Sequence, residues 1–475
     1  MRHLLAAAAL SLISSAALGQ GIPEPVKATA DALMRRGMTD RIGYGVVEDL
    51  TTEVGPRLGG SEAEARARAW AVEAMKELGL QNIRIEPFTM PYWERAYEYA
   101  AILAPFPQEL EITALGNSVG TPQGGLRGEI VRFETLNDLI EAPMDGALRG
   151  KIVFVDEGMT RTQDGSGYGV AVRKRSGAAN EGARRGAIAA LIRSVGTDRH
   201  RFPHTGGMRY AEDVTPIPIA ALSYPDAEQL QRALERGPVT VALDMAVVTK
   251  EQVTSGNVIG EIPGRTDEVV VIGGHLDSWD LGTGAVDDGA GIGITSGAAK
   301  LIIDHVAASG EKPLRTIRLV YWGAEEVGLL GARAYAEQHA DELPLHAVAA
   351  ESDFGAGRIW QLDTRFGAGK AGLGREMARV LAPVGVAPGS NDAGGGPDVT
   401  PLRARGVPVV TLRQDGWDYF DLHHTADDTF DKIDPDDLAQ NVAVYAAFTW
   451  MAANTPGASA AWARLRPNKT VTDPG

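Results

Sequence analysis

The sequence contains no cysteine among its 475 residues. That excludes disulfide bonds, thiolate metal ligands and a cysteine nucleophile. Beyond the N-terminal leader, no apolar run is long enough to cross a bilayer. Positive charge is in deficit: 46 Lys and Arg stand against 62 Asp and Glu, a formal net charge of −16. Such a surface repels phosphate backbones and anionic lipid, so nucleic acid and polybasic membrane attachment drop out as partners. Repeats and low-complexity tracts are also missing. What remains, 44% hydrophobic residues with 57 Gly and 26 Pro, fits a loop-rich α/β protein of about two domains.

The first residues, MRHLLAAAALSLISSAALGQG, have a basic start, an apolar middle and small residues at the end. Ala17 and Gly19 occupy the −3 and −1 positions of a cleavage site. The pattern predicts a signal peptide over 1–19, hence a secreted or periplasmic protein without a membrane anchor.

Helices are predicted near 25–37 and 40–53, and Ser61 with Glu64 forms a capping-box pattern before an Ala-rich helix. Arg57, in the turn before it, fits a surface charge as well as a functional one. The stretches 82–90 and 97–105 alternate like two strands. Between about 120 and 246 lies a small α/β module: a strand within 148–158, a helical stretch over 176–196, and the apolar segment 215–230. Its His200 and His204 read as surface loop histidines. From 250 onward, apolar strands at 267–273, 315–322, 345–350 and 406–412 alternate with helical stretches such as 289–306. That order predicts a mixed, largely parallel sheet flanked by helices, with functional loops at the strands' C-terminal ends. The tail, 456–475, reads as a poorly ordered terminus that Trp462 and Leu465 would dock.

The chemistry falls on those loops. The glycine-rich stretch GGHLDSWDLGTGAVDDGAG, 273–291, carries His275, Asp277, Asp280, Asp287 and Asp288 with no Lys or Arg. Glu325 and Glu326 follow the strand at 315–322, Asp353 follows the next, and His424 and Asp428 follow the last. Alone, a His-x-Asp is common and a Glu–Glu pair is usually a solvated helix start. Recurrence on four successive loops carries the argument. Two histidines and several carboxylates without thiols suit Zn²⁺ or a similar divalent ion. Carboxylates that converge would repel when empty, and two cations remove that cost. Asp287, between glycines, is placed to bridge the ions, and Asp277 to orient the His275 ring. One of Glu325 and Glu326 can bind metal while the other moves protons.

These motifs, together with WGAEEVGLLGA, ESDFG and HHTADDT, resemble those of the co-catalytic zinc exopeptidase family that contains aminopeptidase Y, nearest its plasma glutamate carboxypeptidase branch. The likeness runs from about 40 to 455. GKIV at 150–153, GAIAALI at 186–192 and IPIAAL at 217–222 resemble a protease-associated domain. The resemblance implies a catalytic zinc-peptidase domain over 22–119 and 247–455, with the protease-associated domain inserted at 120–246. It implies two Zn²⁺ per chain, one held by His275, Asp287 and Asp353, the other by Asp287, Glu326 and His424. Glu325 would be the general base, Asp277 would stand behind His275, and the Asp287–Asp288 peptide would be cis. A homodimer is also implied.

One position departs from the pattern. Many relatives carry Tyr before the second histidine ligand, and here it is His423, which fits an oxyanion donor as well as a structural role. Asp428 is a candidate to orient His424, and Asp398 is either a terminus-binding residue or a turn Asp. The reading is a secreted metallo-exopeptidase acting on dipeptides or N-terminal residues, since an acidic site suits an α-ammonium. The alternatives are carboxypeptidase-type action, a non-catalytic receptor-like protein on the same scaffold, and a two-metal phosphoesterase.

Overall fold

The computed structural model describes residues 21–367 and 369–456. The predicted signal peptide and the tail with Trp462 and Leu465 lie outside the described residues.

Fourteen strands join in one sheet. At its centre four strands run parallel: Arg315–Trp322, Thr266–His275, His346–Glu351 and Val409–Gln414. They are almost wholly buried, as apolar runs covered on both faces must be. The helices Ala290–Ser309 and Pro435–Asn454 contribute to the core cluster that covers the sheet. Antiparallel strands Ile359–Arg365 and Thr240–Ile262 flank this set. The four apolar runs read from the sequence therefore lie where a mixed, largely parallel sheet needs them.

Further out, Leu126–Phe133, Ile152–Val155, Ala189–Arg193 and Ile219–Leu222 form a second parallel set with buried clusters of its own. Two expectations fail here. The stretch 176–196 is not one helix: Lys174–Arg184 is helical, Gly186 turns at φ 82°, and Ala189–Arg193 is a buried strand. Glycine permits that left-handed turn, and the small side chains after it fit between two neighbouring strands. Likewise 82–90 and 97–105 are a single strand, Gln81–Ala104, paired antiparallel with Thr240–Ile262. Pro91 has no N–H to give the ladder, and the register shifts between Met90 and Tyr92. The capping box is half formed. Ser61 accepts the Glu64 N–H at 3.0 Å, but the Glu64 carboxylate turns inward to the Ser255 hydroxyl at 3.0 Å.

Candidate active site

The segments that follow the four parallel strands meet at one cavity of about 720 Å³, which Asp287, Glu325, Glu326, Asp353, His423 and His424 line. His275 closes the strand Thr266–His275, and its Nε2 lies 3.1 Å from Asp287 Oδ1 and 3.6 Å from Asp353 Oδ1. The other oxygen of Asp287, Oδ2, lies 3.2 Å from His424 Nε2, which is 3.0 Å from Glu326 Oε2. Asp287 thus turns one oxygen to each of two half-sites. The Asp287–Asp288 peptide is cis, as the resemblance implied.

The donor set fits divalent metal. His275, Asp287 and Glu326 offer ligand atoms within 4.8 Å of one another, as do His275, Asp288 and Asp353, and Asp287, His423 and His424. Glu326 Oε1 is buried with no hydrogen-bond partner. Burial raises the Glu325 and Glu326 carboxyls well above the ordinary range, and the carboxylates around each add to the rise. For His275 burial acts the other way, yet the Asp287 and Asp353 carboxylates raise its pKa well above normal. Asp287 is burial-opposed too, but His275 and His424 hold its pKa well below the usual range. Negative charge held this deep, away from water, is in balance only with cations among it.

The surrounding contacts differ from expectation in three places. Asp277 does not orient His275 through its carboxylate, which stands 3.8 Å from Nδ1; its backbone carbonyl takes that nitrogen at 2.9 Å. The carboxylate instead accepts the backbone N–H of Glu325 at 3.0 Å and of Glu326 at 3.3 Å, fixing the turn that presents both. Asp428 does not touch His424: it accepts the N–H groups of Val286 at 2.6 Å and Asp287 at 3.2 Å. Asp398 does not line the cavity: it is buried, and Glu351 Oε2 takes its N–H at 2.7 Å. Asp288, unassigned in the sequence, accepts the N–H groups of His275 and Gly291, each at 2.9 Å. Asp280 pairs with Arg95. His423 stacks on His424 with ring centroids 3.5 Å apart, and burial drives its pKa well below normal, so it is neutral.

Several residues at the site escaped sequence reasoning. Arg57 is no surface charge: it is fully buried and donates to the carbonyls of Thr283 at 2.7 Å and Gly284 at 2.9 Å, holding the loop before Asp287. His204 is not on the surface either, at 1% exposure, and its Nδ1 donates to the His423 carbonyl at 2.7 Å. His200 is exposed, as read. The segment 120–246 also sends Tyr168 and Arg175 into the cavity, and Thr205 meets His424 Nδ1 at 3.2 Å. One signal was available. Arg173, Lys174 and Arg175 crowd a helix start, where the helix dipole disfavours cations, so another interaction had to hold them there.

The model of peptidase family M28 matches residues 257–449. Human carboxypeptidase Q is 35% identical over 410 residues, covering 85% of this chain and 84% of that relative. A peptidase M28 precursor from Shewanella amazonensis is 50% identical, with a TM-score of 0.88 over 91% of this chain and 97% of that one. The zinc aminopeptidase BSAP of Bacillus subtilis shares the fold, with a TM-score of 0.62 at 21% identity over 86% of this chain and 94% of that one. With the cavity, the donor set and these likenesses agreeing, the chain belongs to peptidase family M28 and is a zinc metallopeptidase.

Proposed function

We propose that the chain is an exported di-zinc exopeptidase that cleaves dipeptides or releases N-terminal residues. The observation that carries this reading is Asp287, whose two oxygens face histidines from two different loops beside Glu325 and Glu326. His275, Asp287 and Asp353 would hold one ion, and Asp287, Glu326 and His424 the other. Such a pair supplies Lewis acidity, which polarises the scissile carbonyl and makes water a stronger acid.

The chain's own residues do the rest. Glu325 lines the cavity and belongs to none of the three ligand clusters, which leaves it free for proton work. It takes a proton from the attacking water and returns it to the leaving amine. Asp277 keeps it in position through the backbone N–H. His423, neutral by burial, has one ring N–H to offer the oxyanion. The acidic wall of Glu325, Glu326 and Asp353 suits an α-ammonium, which favours the amino end of the substrate.

Export rests on the leader pattern of residues 1–19. Among the described residues, no helix is long and apolar enough to cross a membrane. Residues 120–246 are read as the inserted protease-associated domain. A receptor-like role accounts poorly for five ligand positions and a base position that are all occupied and drawn together.

The test is a hydrolysis profile of the zinc-loaded protein on a dipeptide library, aminoacyl-anilides and a phosphate ester. Hydrolysis of free dipeptides that N-acetylation abolishes is the expected result. Turnover of the phosphate ester alone, or of no peptide at all, would overturn the reading.

A further inference from the structure

Two cations line the cavity, and they are held differently. Arg175 is enclosed, its Nη1 spent on the Tyr168 hydroxyl at 2.9 Å and its Nη2 lying 3.4 Å from the His424 ring. Arg209 is exposed, and among the described residues its guanidinium has no hydrogen-bond or ion-pair partner. The backbone that carries it is nonetheless fixed. Gly116 and Gly207 form a β-bridge, in which Gly116 gives its N–H to the Gly206 carbonyl and takes that of Met208, each at 3.0 Å. The peptide unit between Met208 and Arg209 is then gripped at both polar ends. Its carbonyl accepts from Asn117 Nδ2 at 3.2 Å, and its N–H donates to Ser176 Oγ at 3.0 Å. The root of Arg209 is thus immobile while its charged tip stays free at the rim of a cavity large enough for a peptide.

The two grips leave donors over. Ser176 Oγ accepts the Arg209 N–H and keeps its own hydroxyl proton to give, and the Asn117 amide has a second N–H. Both residues line the same cavity, and neither is fully buried. Three donors, one of them charged, therefore gather round a single peptide unit where solvent reaches. The catalytic loops bring Glu325, Glu326 and Asp353 to the same cavity, so one part of its wall is acidic and another rich in donors. The two parts are a short peptide apart. A Cβ on Gly207 would come 3.4 Å from the Glu326 carbonyl oxygen, and Arg209 lies two residues on, at most ~7 Å along the chain. A peptide of two or three residues, at ~3.3–3.6 Å each, covers that span.

We infer that Arg209, with Ser176 and Asn117 beside it, binds the C-terminal carboxylate of a di- or tripeptide whose α-ammonium lies at the acidic wall. The inference rests on the exopeptidase reading above and names the residue that sets its preference for short, free peptides. A guanidinium offers paired N–H groups that match the two oxygens of a carboxylate. Its donors are free whatever the metal positions hold, because Arg209 touches none of the ligands. Arg209 and Ser176 belong to the segment 120–246, which thereby completes the substrate site. An arginine that merely solvated the rim, or offset the acidic cluster from a distance, would leave the enzyme indifferent to the substrate's C-terminus.

The experiment compares kcat/KM of the zinc-loaded wild type for a dipeptide, a tripeptide and the C-terminal amide of each. A preference for the free acid on the order of 10-fold is expected of a charge-assisted pair at a partly solvated rim. Arg209→Ala should bring that ratio to near one, chiefly through KM for the free acid, and Arg209→Lys should restore part of it. Ser176→Ala should lower the ratio by a smaller factor, since it removes an uncharged donor. Equal kcat/KM for acid and amide at both lengths in the wild type overturns the inference while leaving the exopeptidase reading intact. So does a preference that survives Arg209→Ala undiminished. A wild type inactive on every peptide overturns the exopeptidase reading, and the inference falls with it.

Discussion

His204 donates to the backbone carbonyl of His423 at 2.7 Å, while its other ring nitrogen meets Asp198 at the same distance. The two histidines are 219 residues apart in sequence. Through this contact, and through the Thr205 N–H on the His424 carbonyl at 3.0 Å, the segment 120–246 fixes the loop that carries His424. His424 sits at φ 63°, a conformation that a non-glycine residue keeps only under such constraint.

His204→Ala would remove the ring that the Asp198 carboxylate and the His423 carbonyl both meet. The expected outcome is a loss of about 1–3 kcal/mol in unfolding free energy, read by denaturant titration. Metal affinity should fall at least ~10-fold as the loop loosens. Unchanged zinc binding would show that the loop holds its shape without His204.

Glu325→Gln keeps the volume and removes the base. We expect full zinc content by elemental analysis and turnover reduced roughly 10²–10⁴-fold. Retention of more than a tenth of the activity would reassign the proton transfer to another group.

Asp287→Ala removes the oxygens that face both histidines. Zinc per chain after reconstitution and desalting should fall well below that of the wild type. Undiminished occupancy would mean that Asp287 is not the shared ligand.

Zinc binding should release protons. Burial raises the Glu325 and Glu326 carboxyls well above their ordinary range, so without a cation they hold protons that metal must displace. Affinity should therefore rise with pH through the weakly acidic range. Calorimetry in two buffers of different ionisation enthalpy reads the number released, and zero would contradict the prediction.

Away from the cavity, burial pushes the Glu64 carboxyl up to about 7, against 4.5 ordinarily. Between those values the unfolded chain gives up a proton that the folded chain keeps. The stabilisation is thus complete below about pH 4.5 and lost as the pH rises toward 7. Glu64→Gln removes this dependence and keeps an acceptor for Ser255. Its stability relative to wild type should improve by ~2 kcal/mol between pH 4.5 and 8, measured by chemical denaturation at both. A gap that stays constant would mean that Arg68, whose Nε lies 3.1 Å from Glu64 Oε1, keeps the carboxylate ionised throughout.

Local pattern sufficed for the framework. Buried parallel strands such as Arg315–Trp322 are short apolar runs between turns, and their C-terminal loops are where a parallel sheet places its chemistry. The loops that carry His275, Asp287, Glu326, Asp353 and His424 were legible because each comes after such a run, and it was the resemblance of their motifs that singled these five out as ligands. No cysteine competes for the ligand role. The ribbon Gln81–Ala104 was not legible, since a proline within it reads as a break until its partner strand is known. Asp277 and Asp428 carried a recognisable residue type, but whether a carboxylate takes an imidazole or a backbone N–H depends on where the packed backbone aims it. Arg175 lies 249 residues from His424. Sequence by itself determined on which loops the histidines and carboxylates ride, because the ends of the strands follow from short-range periodicity. Only the tertiary structure decided that a cation from a distant segment shares their cavity, because that contact exists once two separately wound parts of the sheet close over one space.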